Sequence, residues 1–150
     1  MNEREIVELG LNRLAALMGV ASLALDEGGM CTLVYQDAVS LTIIAPERTG
    51  TLYLSVAILP VPAGDRQAFY ERLLQLNFLL VDTNGATLSL DDDAKEVHLC
   101  FAMNLEHFDE EAFPALVGNL VQAASRLRME LQQPVNVSIS STPGVWVPLA

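Results

Sequence analysis

Chemistry in this chain would have to come from few side chains: Cys31, Cys100, His98, His107 and the acidic run Asp91, Asp92 and Asp93. A zinc site gathers three or four His, Cys or carboxylate ligands, usually at short spacing. No H-x-x-x-H, C-x-x-C or H-E-x-x-H pattern is present, so His98 and His107 read as ordinary surface or half-buried histidines. A calcium loop alternates its oxygen ligands around a glycine bend and closes on a distal acid. The aspartate run lacks that arrangement and reads as a solvated hairpin tip. The nucleophile elbow G-x-S-x-G, the phosphate loop G-x-x-x-x-G-K-[ST] and the dinucleotide fingerprint G-x-G-x-x-G are also missing. Carboxylate pairs for hydrolysis depend on a separation in space that a sequence does not display. The expectation is no catalytic residue, no metal and no cofactor in a protein that is not an enzyme. Cys31 and Cys100 fall in strand-like segments without a secretion signal ahead of them, and are expected as buried, reduced thiols.

With no chemistry to position, the elements must serve another purpose, and composition narrows it. Eight basic residues against nineteen acidic ones give a net charge of −11. Phosphate backbones are held by clustered Lys and Arg, whereas Arg4, Arg13, Arg48, Arg66, Arg72, Lys95, Arg126 and Arg128 are scattered. Nucleic acid and anionic membrane are thus poor partners. Apolar residues make up 51% of the chain and mean hydropathy is +0.34. Runs such as Val56 to Ala63 fall far short of the roughly 20 residues that span a bilayer, so no membrane insertion is expected. The start Met1-Asn2-Glu3-Arg4-Glu5 has neither the basic residues nor the apolar centre of a signal peptide, and a cytoplasmic protein is expected. High apolar content inside a negative envelope suits a protein that shows apolar surface to a partner.

Periodicity supplies the elements. Val7, Leu11, Leu14 and Met18 recur at helical spacing between Asn2 and Gly19, with Ile6, Leu9 and Leu17 widening the stripe. Ala21 to Leu25 reads as a further strand or an extended lead-in. Strands are expected at Met30 to Gln36, Val39 to Ala45 and Thr51 to Leu59, where Leu52, Leu54, Val56 and Ile58 alternate with smaller or polar residues. Their short connections, including a turn at Gln36 to Ala38, imply antiparallel neighbours. Asp65 is placed to cap a second helix. Further strands follow at Thr87 to Leu90 and Glu96 to Met103, joined by the aspartate run. Asp109-Glu110-Glu111 then gives the cap and acidic first turn of a third helix that keeps its beat to about Gln133. The order α-β-β-β-α-β-β-α argues an α+β fold, an antiparallel twisted sheet with three helices. Residues 1–133 form one domain, and 134–150 a tail in which Val135, Val137 and Ile139 read equally well as a strand or as a mobile end.

One stretch carries more apolar surface than such a fold can cover. In Leu73 to Asp91, a helix dense in Leu73, Leu74, Leu76, Phe78, Leu79, Leu80 and Val81 breaks at Thr83-Asn84-Gly85 and resumes as a strand. A helix apolar nearly all round must be covered on more than one side, and a second subunit can supply the cover.

The same stretch carries a resemblance. L-L-x-L-N followed by T-N-G-A-T-L-S-L-D is similar to the helix, turn and fourth strand of the class I type III secretion chaperones, the Tir-chaperone-like family. The likeness extends over about residues 3 to 132, through Val97 to Phe101, Leu105 to Phe113 and the helix Leu116 to Leu127. It implies a small acidic homodimer of the bacterial cytoplasm that binds the N-terminal segment of one or a few secreted effector proteins, without ATP hydrolysis, and keeps it stable and secretion-competent. Mapped by resemblance, the dimer interface falls on Leu73, Leu76, Asn77, Leu80, Leu88 and Leu90. Effector grooves fall on Val7, Leu11, Leu14, Leu33, Tyr35, Leu41 and Ile43. The alternative is a regulatory binding module on the same fold that sequesters another cytoplasmic protein.

Overall fold

A computed structural model describes residues 1–35 and 39–133. The expected turn at Gln36 to Ala38, and the tail 134–150 with its expected strand, lie outside the described residues.

Asn2 sets the first helix, α1 (Glu3–Met18). Its side chain accepts from the Glu5 N–H at 2.9 Å while the Glu5 carboxylate accepts from the Asn2 N–H at 2.8 Å, so two otherwise orphaned donors are satisfied at once. Gly19 ends it with φ 69, a left-handed conformation that costs glycine no Cβ clash. Three strands follow: β1 (Met30–Tyr35), β2 (Val39–Ile44) and β3 (Thr51–Pro60). After α2 (Arg66–Leu76) come β4 (Thr87–Asp91) and β5 (Glu96–Asn104), and α3 (Phe113–Gln132) closes the described chain. The element order is the expected one.

The five strands form one antiparallel sheet in the order β1-β2-β3-β5-β4. Because side chains alternate along a strand, register decides which of them meet. Leu41 pairs with Val56, Ile43 with Leu54, Leu54 with Phe101 and Val56 with Leu99, which stacks the large apolar side chains on one face. Helices α1 and α3 cover that face with Val7, Leu11, Leu14, Phe113, Val117, Leu120 and Leu127. The opposite face carries a row of small, mostly polar residues across all five strands, Thr32, Thr42, Ser55, Cys100 and Thr87. An antiparallel sheet with one face on the core and one turned to water has this pattern.

Two details tie helix to sheet. Register slips at the end of β3 between Ala57 and Leu59, and there Arg128 of α3 donates to the carbonyls of Ile58 at 2.6 Å and Ala57 at 2.9 Å. Gly10 lets α1 approach Phe108 and Phe113, whose rings lie 5.2 Å apart; a Cβ at position 10 would stand 2.5 Å from Phe108 Cζ.

Two boundaries differ from expectation. Asp109 caps a turn, accepting from the N–H groups of Glu111 and Ala112, so Glu110 and Glu111 precede the helix and α3 begins at Phe113 with Pro114 in its first turn. The larger difference is α2, which does not run on to Val81. It stops at Leu76 because Asn77 is held by a neighbouring strand.

Candidate protein-binding surfaces

Asn77 follows the last residue of α2, and its side-chain amide lies against the outer edge of β4. Its Oδ1 accepts from the Leu88 N–H at 2.8 Å, and its Nδ2 donates to the Leu88 carbonyl at 3.0 Å. The amide thus imitates the peptide group of a neighbouring strand. An exposed edge otherwise offers unpaired groups to any passing chain, and β4 is closed at this position.

The same anchor bends the chain. Beyond Asn77, Phe78–Leu80 form a 3-10 turn in which Leu79 and Leu80 both take φ 55, and the Gly85 N–H closes the turn onto the Leu80 carbonyl at 2.8 Å. Left-handed conformations cost a leucine on the order of 1–3 kcal/mol. The bend aims Phe78, Leu79 and Val81 outward, at 72%, 75% and 70% exposure, beside Leu74 of α2 at 70%. This apolar knuckle carries no charge from Leu73 to Val81.

Beside it lies a cavity of about 390 Å³ between α3 and β5, lined by Thr83, Asn84, Phe101, Leu116, Asn119, Leu120 and Ala123. Thr83 is fully buried and its hydroxyl has no hydrogen-bond partner. A second hollow of about 220 Å³ shares Phe101 and Leu116 and reaches Met103, Phe108 and Phe113.

The β1 edge is built differently. Asp26 satisfies Met30 twice, donating its N–H to the Met30 carbonyl at 2.8 Å and accepting the Met30 N–H on Oδ1 at 2.9 Å. The Ala45 N–H bonds Gly29 on the opposite side. Alternation along an antiparallel strand then turns the N–H and C=O groups of Thr32 and Val34 away from β2. No other described residue meets them. Val34 is 69% exposed and Met30 is also open. Arg4 of α1 donates to the carbonyls of Leu25 and Asp26, which holds α1 beside the approach to this edge. Leu9, Leu17 and Val20, on and just beyond α1, are exposed apolar residues.

Among the described residues, a strand edge without main-chain partners at one end of the sheet and an uncharged knuckle with apolar hollows at the other are surfaces of the kind that bind polypeptide. The model of the Tir chaperone protein (CesT) family matches residues 10–128. The chain belongs to the Tir chaperone (CesT) family. Solved structures agree on the fold of this CesT-family chain. The ExsC-ExsE complex superposes with a TM-score of 0.76 at 22% identity, covering 87% of this chain and 97% of that one. The HopA1-SchA chaperone-effector complex gives 0.68 at 18%, covering 84% and 95%. The type III secretion chaperone SycH of Yersinia pestis, in complex with a stable fragment of YscM2, gives 0.59 at 18%, covering 79% and 96%. Among curated proteins none matches.

Within this CesT-family fold the residues expected at the sites divide by depth. Val7, Leu11, Leu14, Leu33, Leu41 and Ile43 lie buried in the chain's own core, and Tyr35 ends β1 opposite Val39. Leu73, Leu76 and Leu88 are also buried within the subunit, Asn77 is half-buried on the β4 edge, and Leu80 and Leu90 are exposed. The outward residues that sequence reasoning did not select are Leu74, Phe78, Leu79 and Val81 on the knuckle and Leu9, Leu17, Met30 and Val34 near β1. Strand parity held the signal for two of them, since Met30 and Val34 alternate with inward Cys31 and Leu33.

Ser55, His98 and Glu96 form a local polar cluster on the sheet. Ser55 Oγ lies 2.8 Å from His98 Nδ1, and His98 Nε2 lies 3.3 Å from a Glu96 carboxylate oxygen. Ser55 sits in the middle of β3, a strand bonded on both sides, so its surroundings offer no pair of free N–H groups to hold an oxyanion. Among the described residues no group of three His, Cys, Asp or Glu is arranged for a metal ion, and no helix is long and apolar enough to cross a membrane. Both cysteines are free. Burial pushes the Cys31 thiol above its ordinary pKa, an Ala24 N–H opposes this, and Asp26 adds to it.

Proposed function

We propose that this CesT-family member is a cytoplasmic type III secretion chaperone, a homodimer that binds the N-terminal segment of a secreted effector in extended, non-globular form and catalyses no reaction. The observation that carries the reading is the contrast between the two sheet edges: β4 is closed at Leu88 by Asn77, whereas no described residue hydrogen-bonds the outward main-chain groups of Thr32 and Val34 on β1. An effector segment adds as a strand to β1. Main-chain hydrogen bonds supply affinity, and alternate side chains supply selectivity. Leu9, Leu17, Met30 and Val34 make the apolar contact, and Tyr35, the last residue of β1, is assigned to the same site by its place in the strand. Val7, Leu11, Leu14, Leu33, Leu41 and Ile43 form the floor that holds this surface in shape. The dimer forms about the end of α2 and β4, with Leu73, Leu76, Asn77 and Leu88 supporting the contact and Leu80 and Leu90 at its surface.

Ordering a disordered segment costs on the order of 2–5 kcal/mol, so the bound stretch must bury apolar area along most of its length. An extended segment is ready for a narrow secretion channel, and its aggregation-prone residues are hidden meanwhile. The experiment is copurification from the native cell followed by limited proteolysis of whatever is bound. An exported protein whose N-terminal segment is protected supports the proposal. A bound transcriptional regulator favours sequestration, and unchanged digestion of a copurified exported protein overturns the extended-segment mechanism.

A further inference from the structure

We propose that the two subunits lock by reciprocal insertion, the Leu79 knuckle of each entering the Thr83–Leu120 cavity of the other. The inference rests on the homodimer proposed above and assigns which side chain enters which cavity. Five observations carry it. The knuckle is uncovered in the single chain although it holds two leucines in left-handed conformations. Strain of that kind persists where surroundings enforce it; the Asn77 clamp and the Leu80–Gly85 bond set the backbone, but none of the described residues covers the projecting side chains. The cavity is complementary to it in character, since its lining is mostly apolar.

Charge selects the occupant. Each copy carries a net charge of −11, so two copies approach at least cost through surfaces of low charge; here the exposed carboxylate is Asp82, and Arg126 donates to its main-chain carbonyl. Neither the Leu73 to Val81 segment nor the cavity lining contains a charged residue. Position completes the argument. Thr83 and Asn84 follow Val81 with only Asp82 between, so knuckle and cavity mouth are neighbours on one surface. A two-fold axis between them lets both insertions form together, as a self-complementary interface requires. Volume agrees as well, because about 390 Å³ has room for a leucine side chain with its flanking backbone.

Leu79→Gly removes the inserted side chain, and glycine accepts φ 55 without strain. The variant is therefore expected to keep its unfolding midpoint as a subunit while the dimer dissociation constant rises about tenfold or more. For the geometry, two differently tagged chains are co-expressed in a Cys100→Ser background, one with Leu79→Cys and the other with Asn119→Cys. Mild oxidation is expected to join position 79 of one chain to position 119 of the other. Crosslinking between two Leu79→Cys chains instead, at an unchanged dimer mass of twice 16.3 kDa, overturns reciprocal insertion and leaves the dimer standing. So does a Leu79→Gly protein that associates like wild type, or an Asn119→Cys that crosslinks to a bound effector. A wild-type monomer in light scattering overturns the dimer itself.

Discussion

The side-chain amide of Asn77 and the main chain of Leu88 exchange two hydrogen bonds, at 2.8 and 3.0 Å. That pair ends α2, closes the β4 edge and turns the next residues outward as an apolar knuckle. Asn77→Ala removes both bonds and leaves the peptide groups of Leu88 unpaired in a half-buried place. An unsatisfied buried group costs about 1–3 kcal/mol. The urea midpoint of Asn77→Ala is expected to fall accordingly, and Asn77→Asp, which keeps only the acceptor, to fall as well. A midpoint equal to wild type would show that the clamp contributes no stability.

At the opposite edge, Thr32→Pro deletes one outward N–H without breaking the β1–β2 ladder, because proline is tolerated on an edge strand when its missing donor faces solvent. The expected result is an unchanged fold and dimer mass with effector-segment affinity reduced about tenfold, read by titration calorimetry. Undiminished affinity would place the bound strand elsewhere.

Gly10→Ala sets two effects against each other. Alanine favours a helix interior by up to about 1 kcal/mol, but its Cβ would stand 2.5 Å from Phe108 Cζ and 2.9 Å from Phe113 Cδ1. Overpacking of this kind costs about 1–3 kcal/mol. Both rings are held by the contact between α1 and α3, so a net loss of stability is expected in chemical denaturation.

Cysteine reactivity separates the two thiols. Burial raises the pKa of Cys31, which lowers its thiolate fraction at any given pH and hides the sulfur from reagent. At pH 8 iodoacetamide is expected to alkylate the half-buried Cys100 first, with Cys31 reacting after unfolding, as followed by intact mass. Equal rates in the native protein would contradict the packing of β1 against its core.

Much of the architecture was legible in the order of residues. Alternation in Leu52, Leu54, Val56 and Ile58, helical spacing in Val7, Leu11 and Leu14, and punctuation by Gly19, Asp65 and the aspartate run are local signals, and local signals survive in one dimension. They sufficed for the α-β-β-β-α-β-β-α order. The L-N-to-L-S-L-D stretch also pointed to the family that the match over residues 10–128 establishes.

The sites were less legible, because an apolar residue looks the same in sequence whether it faces the core or a partner. Val7, Leu41 and Ile43 have the character of a binding groove and lie at 0–1% exposure inside the subunit. Leu79 and Val81 continue the helical run and project into solvent. Only the tertiary structure separates the two groups. Asn77 bonds a residue eleven positions later, and it does so because β4 returns beside the end of α2. Sequence by itself therefore determined the elements and the surplus of apolar surface. The meeting of Asn77 with Leu88 decided where that surplus emerges and which edge of the sheet is closed.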